Sequence, residues 1–402
     1  MSPFSLLTVP SQWTFPPLYT VVLILTCLAA GLGADRTFPS EVTAPSTKLS
    51  SATEDDPIPT PPQRPSPVAT PTTSPPIVIG PIVAPQANPT APAKPVNPAR
   101  QEIVALARTA MTYRQSGHLA EAIAQYQKAI ARAKEALPKD DSDLGMLMGG
   151  LGQVYYESKQ LDQAVSQFRG SLAILGQHLP RQDPNVTFVV NELARSLSDA
   201  RRYEESARLN AENLKVREAS LGKDHPATLL SLHNLGIDLA MLDRWPEAIE
   251  AFETAMERRK ARGVVQSRVP AIDLEYLGDG HKALGHADKA EQYYLQALKA
   301  SETPSSKGSE ATIRVLQKLA IFYTGSQEYF PKAQEYGQRA IDLCRQVSGS
   351  NSAKTAQTLG IVGAAYCSAG KQAEAAPLLR EAIAIYKSVG AGDSEETWRL
   401  VS

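Results

Sequence analysis

The chain has 402 residues, of which 43% are apolar and 21% charged, and its formal net charge at pH 7 is −1. This balance offers no basic stripe of the kind that binds nucleic acid, so we expect no nucleic-acid partner. The stretch after residue 100, about 290 residues, is long enough to bury a large core, even one built in slices.

Residues 18–34, LYTVVLILTCLAAGLGA, form an apolar run of 17 without a charged side chain. This length is near the lower limit for crossing a bilayer and exceeds most signal-peptide cores, so residues 1–36 are predicted to be a membrane anchor or a signal sequence. The absence of a preceding Lys or Arg disfavours a signal peptide, whereas Ala29, Ala30 and Gly31 favour cleavage. The run is also compatible with lipidation at Cys27 or with a buried core helix.

Residues 37–99 contain 17 of the 30 prolines. Such a segment buries too little apolar surface to fold, so it is predicted to be a disordered spacer that holds the rest of the chain off a membrane. A set of SH3-type ligands is the alternative. Spacers of this kind favour a membrane-anchored or secreted protein with an extracytoplasmic repeat domain, whereas Arg36 and Lys48, which follow the apolar run, favour the cytoplasm.

From about residue 101 one pattern recurs every 42 or 43 residues. Its anchor is a small residue that opens a predicted second helix: Ala122, Ala164, Ser206, Ala248, Ala290, Ala333 and Ala375. Four positions later a large side chain follows in five units: Tyr126, Phe168, Phe252, Tyr294 and Leu379. Three further on, five units have Ala129, Ala255, Ala297, Ala340 and Ala382. This spacing places all three on one helix face, and the fixed period predicts a solenoid.

Twelve positions before the anchor, the predicted first helix carries a glycine in four units, at Gly152, Gly236, Gly278 and Gly363, and an alanine in two, at Ala110 and Ala194. Together with the alanine and aromatic positions, this pattern resembles the tetratricopeptide repeat, and the 42-residue period resembles the long repeats of kinesin light chains. The resemblance implies an all-α fold, an α-solenoid of about seven antiparallel helix pairs over residues 101–390, with 391–402 as a C-terminal cap. A HEAT-type helical pair is the alternative fold.

Two units depart from the pattern. The third has Ser206, Asn210 and Asn213 where the others have alanine, a large side chain and alanine, and the sixth has Gly337 where a large side chain belongs. A buried asparagine without partners costs about 1–3 kcal/mol. We therefore expect these two units to exchange their amide hydrogens fastest.

Catalytic and metal-binding motifs are missing from the sequence. It contains no glycine-rich phosphate loop, no Cys-x-x-Cys and no His-Glu-x-x-His. We therefore expect a protein that is not an enzyme and has no cofactor and no metal. The one acidic pair to consider for catalysis is Glu275 with Asp279. Cys344 and Cys367 are expected to lie too far apart for a disulfide.

The resemblance also implies that the first helices line a concave face on which peptides bind. Projected onto this chain, it gives seven candidate partner-binding residues: Asn191, Arg195, His233, Asn234, Glu275, Asp279 and Lys282. Asn234 precedes a Leu-Gly pair, as an asparagine does in kinesin light-chain repeats. The sequence thus predicts a scaffold that binds a protein or peptide and contacts a membrane through its N-terminal segment. A structural assembly protein acting through oligomerisation and a cytoplasmic adaptor are the alternatives.

Overall fold

The structure is a computed structural model that describes residues 97–261, 268–302 and 310–389, without the side chains of 268–270. The predicted apolar segment, all but the last three residues of the predicted linker, and the predicted cap lie outside these residues. Within them the backbone forms fourteen α-helices and no β-strand, which confirms the all-α solenoid.

The helices follow one another as seven pairs. In chain order they are α1 (Pro98–Gln115), α2 (Leu119–Ala136), α3 (Ser142–Glu157), α4 (Leu161–His178), α5 (Pro184–Asp199), α6 (Tyr203–Leu221), α7 (Pro226–Met241), α8 (Trp245–Ala261), α9 (Arg268–Ala283), α10 (Ala287–Ser301), α11 (Glu310–Tyr323), α12 (Phe330–Ser348), α13 (Ala353–Ser368) and α14 (Gln372–Ser388). The odd-numbered helices are the first helices of the repeats and the even-numbered ones the second helices.

The anchor positions define the core. All seven, including Ser206, are fully buried, and so are the five alanines seven positions later. The small residues of the first helices leave room for the large ones of the second. A Cβ at Gly152 would lie 2.8 Å from the Phe168 ring, and one at Gly236 would lie 2.8 Å from the Phe252 ring. The predicted register of the repeat is therefore confirmed.

First helices begin at a polar cap. Asn97, Asp141, Asp183 and His225 each accept a hydrogen bond from the backbone N–H two residues later, which satisfies a donor that the first turn leaves free. His225 therefore fixes the start of α7. Between the paired helices, Gly117, Gly285 and Gly370 adopt positive φ at the end of a first helix.

The described residues fall into two compact units, which divide in sequence between His286 and Ala287. The N-terminal unit contains α1–α9 and the C-terminal unit α10–α14. In the N-terminal unit, one apolar cluster extends from Ile103 on α1 to Leu197 on α5. From α6 to α9 many of the buried side chains are polar: Ser206, Asn210, Asn213, Arg217, Ser231, His233, Asp238, Arg259, Asp273, Glu275 and Asp279.

The structure changes the reasons for expecting fast amide exchange in the third and sixth units. Asn210 is buried but has a partner, because its Nδ2 donates to Asp238 at 2.8 Å. At Gly337, the space that a large side chain would fill is taken by Tyr366 and Val362, whose nearest atoms lie 2.6 and 2.8 Å from a Cβ built there. The Nδ2 of Asn213 and the Oδ1 of Asn210 have no hydrogen-bond partner among the described residues, so each asparagine keeps part of the expected cost. Fast exchange in these units stays a prediction.

Candidate functional site

One face of the first helices in the N-terminal unit carries the candidate residues. On α5 it consists of Phe188, Asn191, Arg195 and Ser198, whose spacing of three, seven and ten positions places them on one side of a helix. We call this set, with its equivalents 42 residues apart on α1, α3, α7 and α9, the first-helix face. Six of the seven predicted residues belong to it, and the seventh, Asn234, follows His233 directly.

Arg195 is fixed in the middle of this face. Its Nη2 donates to Glu192 at 2.5 Å, and its guanidinium lies over the Tyr156 ring, 4.1 Å from the ring centre. Burial raises the pKa of the Glu192 carboxyl, and the positive charge of Arg195 partly offsets that rise. The Tyr156 hydroxyl donates to Asp199 at 2.6 Å. Burial and this hydrogen bond raise the pKa of Tyr156. Arg195 thus offers a cation whose position is set before any partner arrives.

Hydrogen bonds also link the preceding first helices. Arg114 on α1 donates to Glu157 on α3 through Nε at 2.9 Å and through Nη2 at 2.7 Å, and to Gln153 through Nη1 at 2.8 Å. Because Tyr156 on α3 contacts both Arg195 and Asp199 on α5, polar contacts connect three successive first helices. This end of the face is a rigid, charged surface.

The sequence predicts that His233 lies on the binding surface, but the structure places it in the interior. Its side chain is fully buried, and its Nδ1 lies 2.5 Å from Asp273 Oδ1. Asp273 also pairs with Arg259, which in turn donates to the Leu229 carbonyl at 3.1 Å. The correction has a simple cause, because the position faces α9 and a long side chain there reaches the next first helix. His233 is therefore part of a buried charged group.

The other candidates differ in exposure. Asn191 is buried, and its Oδ1 has no hydrogen-bond partner among the described residues. Glu275 and Asp279 are buried on α9, whereas Asn234 and Lys282 are half-buried. The structure thus places Arg195, Asn234 and Lys282 where a partner reaches them. A role of the seven residues in binding stays a prediction.

An apolar stripe on the same face was missed from the sequence. Its members are spaced by 42 residues and all are half-buried: Val104, Met146, Phe188 and Leu230. They recur at the first position of the face on α1, α3, α5 and α7, so they follow one another along the stack. The signal was present in the sequence as an apolar residue six positions before each small residue, but it resembles an ordinary core position there.

Two further observations concern membrane-spanning helices and cysteines. No helix among residues 97–261, 268–302 and 310–389 is both long and apolar enough to cross a membrane. Cys344 and Cys367 are buried free thiols.

Comparison with solved structures places the fold among helical-repeat proteins. The chain is similar to the apo form of RapI (15% identity, TM-score 0.55, covering 73% of this chain and 77% of that one). It is also similar to aspartyl phosphate phosphatase F from Bacillus subtilis (15% identity, TM-score 0.52, 71% and 70%). A third match is to the nearly identical TPR-like repeats of a kinesin light chain from Podosopora anserina (20% identity, TM-score 0.46, 52% and 98%). These likenesses concern the fold alone.

Comparison with protein families is more specific. A sequence model described as tetratricopeptide repeat matches residues 102–177, 187–261 and 309–388, and a second model of the same description matches 277–304. No curated protein sequence matches the chain. The matched segments follow the helix pairs and together cover more than half of the sequence. The chain therefore belongs to the tetratricopeptide repeat family, as its sequence pattern indicates.

Proposed function

We propose that the protein is a non-enzymatic scaffold that binds an extended segment of a protein partner along the first-helix face of the N-terminal unit. Membership of the tetratricopeptide repeat family supports a role in protein interaction. The observation that carries the proposal is the apolar stripe of Val104, Met146, Phe188 and Leu230, which stays half-exposed beside fixed charged side chains.

The spacing of the stripe fits an extended chain. Packed helices lie about 8–10 Å apart, so neighbouring stripe residues recur at roughly that distance. In the polyproline II form of an extended chain, which has about three residues per turn and advances about 3.1 Å per residue, every third side chain returns to the same side at about 9 Å. An extended chain also has free backbone N–H and C=O groups. Half-buried polar side chains beside the stripe, such as Asn234, supply hydrogen bonds to such groups.

The charged part of the face sets the orientation of the segment. Arg114 and Arg195 are each about one-quarter exposed and already held by carboxylates, so they lose little side-chain entropy on binding. Their partners Glu157 and Glu192 place negative charge beside positive charge. A segment with both signs of charge flanking its apolar residues matches this surface.

No catalytic role is part of the proposal. Glu275 and Asp279, the acidic pair considered in the sequence analysis, lie one turn apart on α9 and are both buried. Their burial is compatible with a structural role in packing and hydrogen bonding, without any catalytic step.

The proposed scaffold is held at a membrane, or secreted, with its repeats outside the cytoplasm. This part of the proposal rests on the sequence alone, on the apolar run at 18–34 and the proline-rich stretch behind it. A topology reporter fused after Ser402, together with a mass measurement of the mature N-terminus, tests it. A reporter active only in the cytoplasm would contradict it and favour the cytoplasmic adaptor.

The binding face is tested with displayed random peptides selected on the full chain. We expect selected peptides to have apolar residues three positions apart. Phe188→Ala should weaken their binding about tenfold or more, because burying one large apolar side chain contributes about 1.5–3 kcal/mol. Leu221→Ala, which changes an exposed leucine at the end of α6, is the matched control and should have no effect.

Three outcomes would count against the proposal. Peptides whose binding is equally sensitive to Leu221→Ala would place the contact elsewhere. Apolar residues seven positions apart would indicate a helical rather than an extended segment, because seven residues of helix advance about 10.5 Å. A stable oligomer that Phe188→Ala dissociates would show the face joining copies of this chain.

A further inference from the structure

A buried carboxylate joins the third and fourth helix pairs. Asp238 on α7 is almost fully buried and accepts hydrogen bonds from Ser198 on α5 at 2.7 Å, and from Ser206 and Asn210 on α6 at 2.6 and 2.8 Å. A single side chain thus connects three helices of two pairs. Ser206 and Asn210 are the residues that replace the alanine and the large side chain of other repeats.

Ser206 has one hydroxyl hydrogen but two acceptors within hydrogen-bond distance. Its Oγ lies 2.6 Å from Asp238 Oδ2 and 2.9 Å from the Ala194 carbonyl oxygen. A hydroxyl has one hydrogen, so it donates to only one of these two acceptors at a time. A proton on Asp238 Oδ2 removes the conflict. The acid then donates to Ser206, and Ser206 donates to the Ala194 carbonyl.

Charge favours the same proton. No Lys, Arg or His of the described residues forms an ion pair with Asp238, and the nearest acid on α5, Asp199, adds a second negative charge. On α6, Glu205 pairs with Arg202, away from the cluster. On α8, Glu247 is exposed and pairs with Arg244.

α9 carries the buried acids Asp273, Glu275 and Asp279 and the basic residues His281 and Lys282, and none of them pairs with Asp238. Arg259 and His233 contact Asp273 instead. A buried carboxylate without a cation is costly to ionise.

We propose that Asp238 is a proton-operated joint between the third and fourth helix pairs, which holds them more firmly when the carboxyl is protonated than when it is ionised. Protonation completes the chain of hydrogen bonds from Asp238 through Ser206 to Ala194. Loss of the proton leaves a buried charge, and Ser206 then donates to the carboxylate instead of to the Ala194 carbonyl.

The acidity of the group supports this assignment. Burial raises the pKa of Asp238 to about 6, against hydrogen bonds from Ser206, Ser198 and Asn210 that lower it, while Asp199 raises it further. The ordinary value, reached in the unfolded chain, is 3.8. Because the folded pKa is the higher one, the stabilisation is fully present below about pH 4 and is lost as the pH rises to about 6.

The test compares unfolding of the full chain by urea from pH 4 to 8 for the wild type and Asp238→Asn. An asparagine with its Nδ2 at the position of Asp238 Oδ2 donates to Ser206 as the protonated acid does, and the Asn210 amide, rotated so that its unpartnered Oδ1 faces the new amide, accepts from it. The variant therefore imitates the protonated form. We expect the two proteins to be equally stable near pH 4. At pH 7.5 the folding equilibrium constant of the variant should be about a hundredfold larger, because roughly two pH units separate the folded and unfolded pKa values.

Asp199→Asn is the matched control, since it removes the neighbouring acid and should keep most of the pH dependence. Parallel stability curves for the wild type and Asp238→Asn between pH 4 and 8 would overturn the proposal. If Asp238→Asn does not fold, the side-chain amide signals of Asn210 in the wild type decide. They should titrate with a midpoint near pH 6, and signals that do not move would overturn it. These measurements need no partner, so their failure leaves the proposed binding function untouched.

Discussion

Arg217 and Arg259 occupy equivalent positions, 42 residues apart, in the second helices α6 and α8. Each is buried and extends to the same position of the next first helix. Arg217 donates to Ser231 on α7 at 2.9 Å, and Arg259 donates to Asp273 on α9. Arg217 also reaches the Ala227 carbonyl at 3.0 Å. The middle of the N-terminal unit therefore repeats a polar contact between pairs where the earlier pairs have apolar packing.

Substituting the acceptor of each arginine, Asp273 for Arg259 and Ser231 for Arg217, should lower the free energy of unfolding by different amounts. Asp273→Asn should lower the free energy of unfolding by about 3–5 kcal/mol, because it leaves the buried Arg259 without a counter-charge. Ser231→Ala should cost only about 1 kcal/mol, since Arg217 keeps the Ala227 carbonyl. Urea unfolding of both variants measures the difference. Equal losses would show that the charge of Asp273 contributes nothing beyond a hydrogen bond.

Two glycines of the second helix pair should respond in opposite directions to alanine. Gly152→Ala places a Cβ 2.8 Å from the Phe168 ring, which should cost about 1–3 kcal/mol through overpacking. Gly176 is exposed near the end of α4 with nothing within 4 Å of the added atom, so Gly176→Ala should gain about 0.5–1 kcal/mol. Thermal unfolding monitored by circular dichroism compares them. A stabilised Gly152→Ala would contradict the close helix contact.

The two buried asparagines of α6 should also differ. Asn213→Ala removes a buried Nδ2 that has no partner and restores the alanine of other repeats, so we expect about 1 kcal/mol of added stability. Asn210→Ala breaks the hydrogen bond to Asp238 and should destabilise the protein by a similar amount or more. The free energy of unfolding at neutral pH is the readout. Loss of stability in both variants would mean that Asn213 has a partner in solution.

In the C-terminal unit, Gly337 and Tyr366 are predicted to be energetically coupled. Gly337→Ala brings a Cβ within 2.6 Å of the Tyr366 hydroxyl, and Tyr366→Phe removes that oxygen together with its bond to the Ala333 carbonyl. The double variant should cost about 1 kcal/mol less than the sum of the single ones. A double-mutant cycle in urea measures this coupling. Strict additivity would argue that the hydroxyl does not fill the space at Gly337.

Much of the fold could be predicted because one period governs the core. The buried anchor at Ala122 and its equivalents follow directly from the spacing, and so do the glycines that face Phe168 and Phe252. The polar contacts could not be predicted in the same way. Asp238 and Ser206 are 32 positions apart, and the repeat pattern, in which Ser206 is an anchor, does not pair the two, so only the packed helices show that they meet.

For the candidate site, the sequence pattern placed six of the seven residues on one helix face but did not show how deeply each side chain is buried. His233 and Arg195 both lie on the first-helix face, yet one is fully buried and the other partly exposed. The difference in exposure depends on the residue that each side chain contacts on the neighbouring helix. The imidazole of His233 contacts the buried Asp273, whereas the guanidinium of Arg195 lies over the Tyr156 ring and stays partly exposed.

The start of α1 determines how a pull on the preceding chain would act on the repeats. Asn97 caps the helix and Pro98 begins it, so the chain enters the first turn directly at Asn97. One turn in, Arg100 binds Asp141 at 2.5 Å and also Asp143, at the beginning of α3. Mechanical tension arriving at Asn97 would therefore be shared by the first two helix pairs, and α1 would resist being peeled away alone.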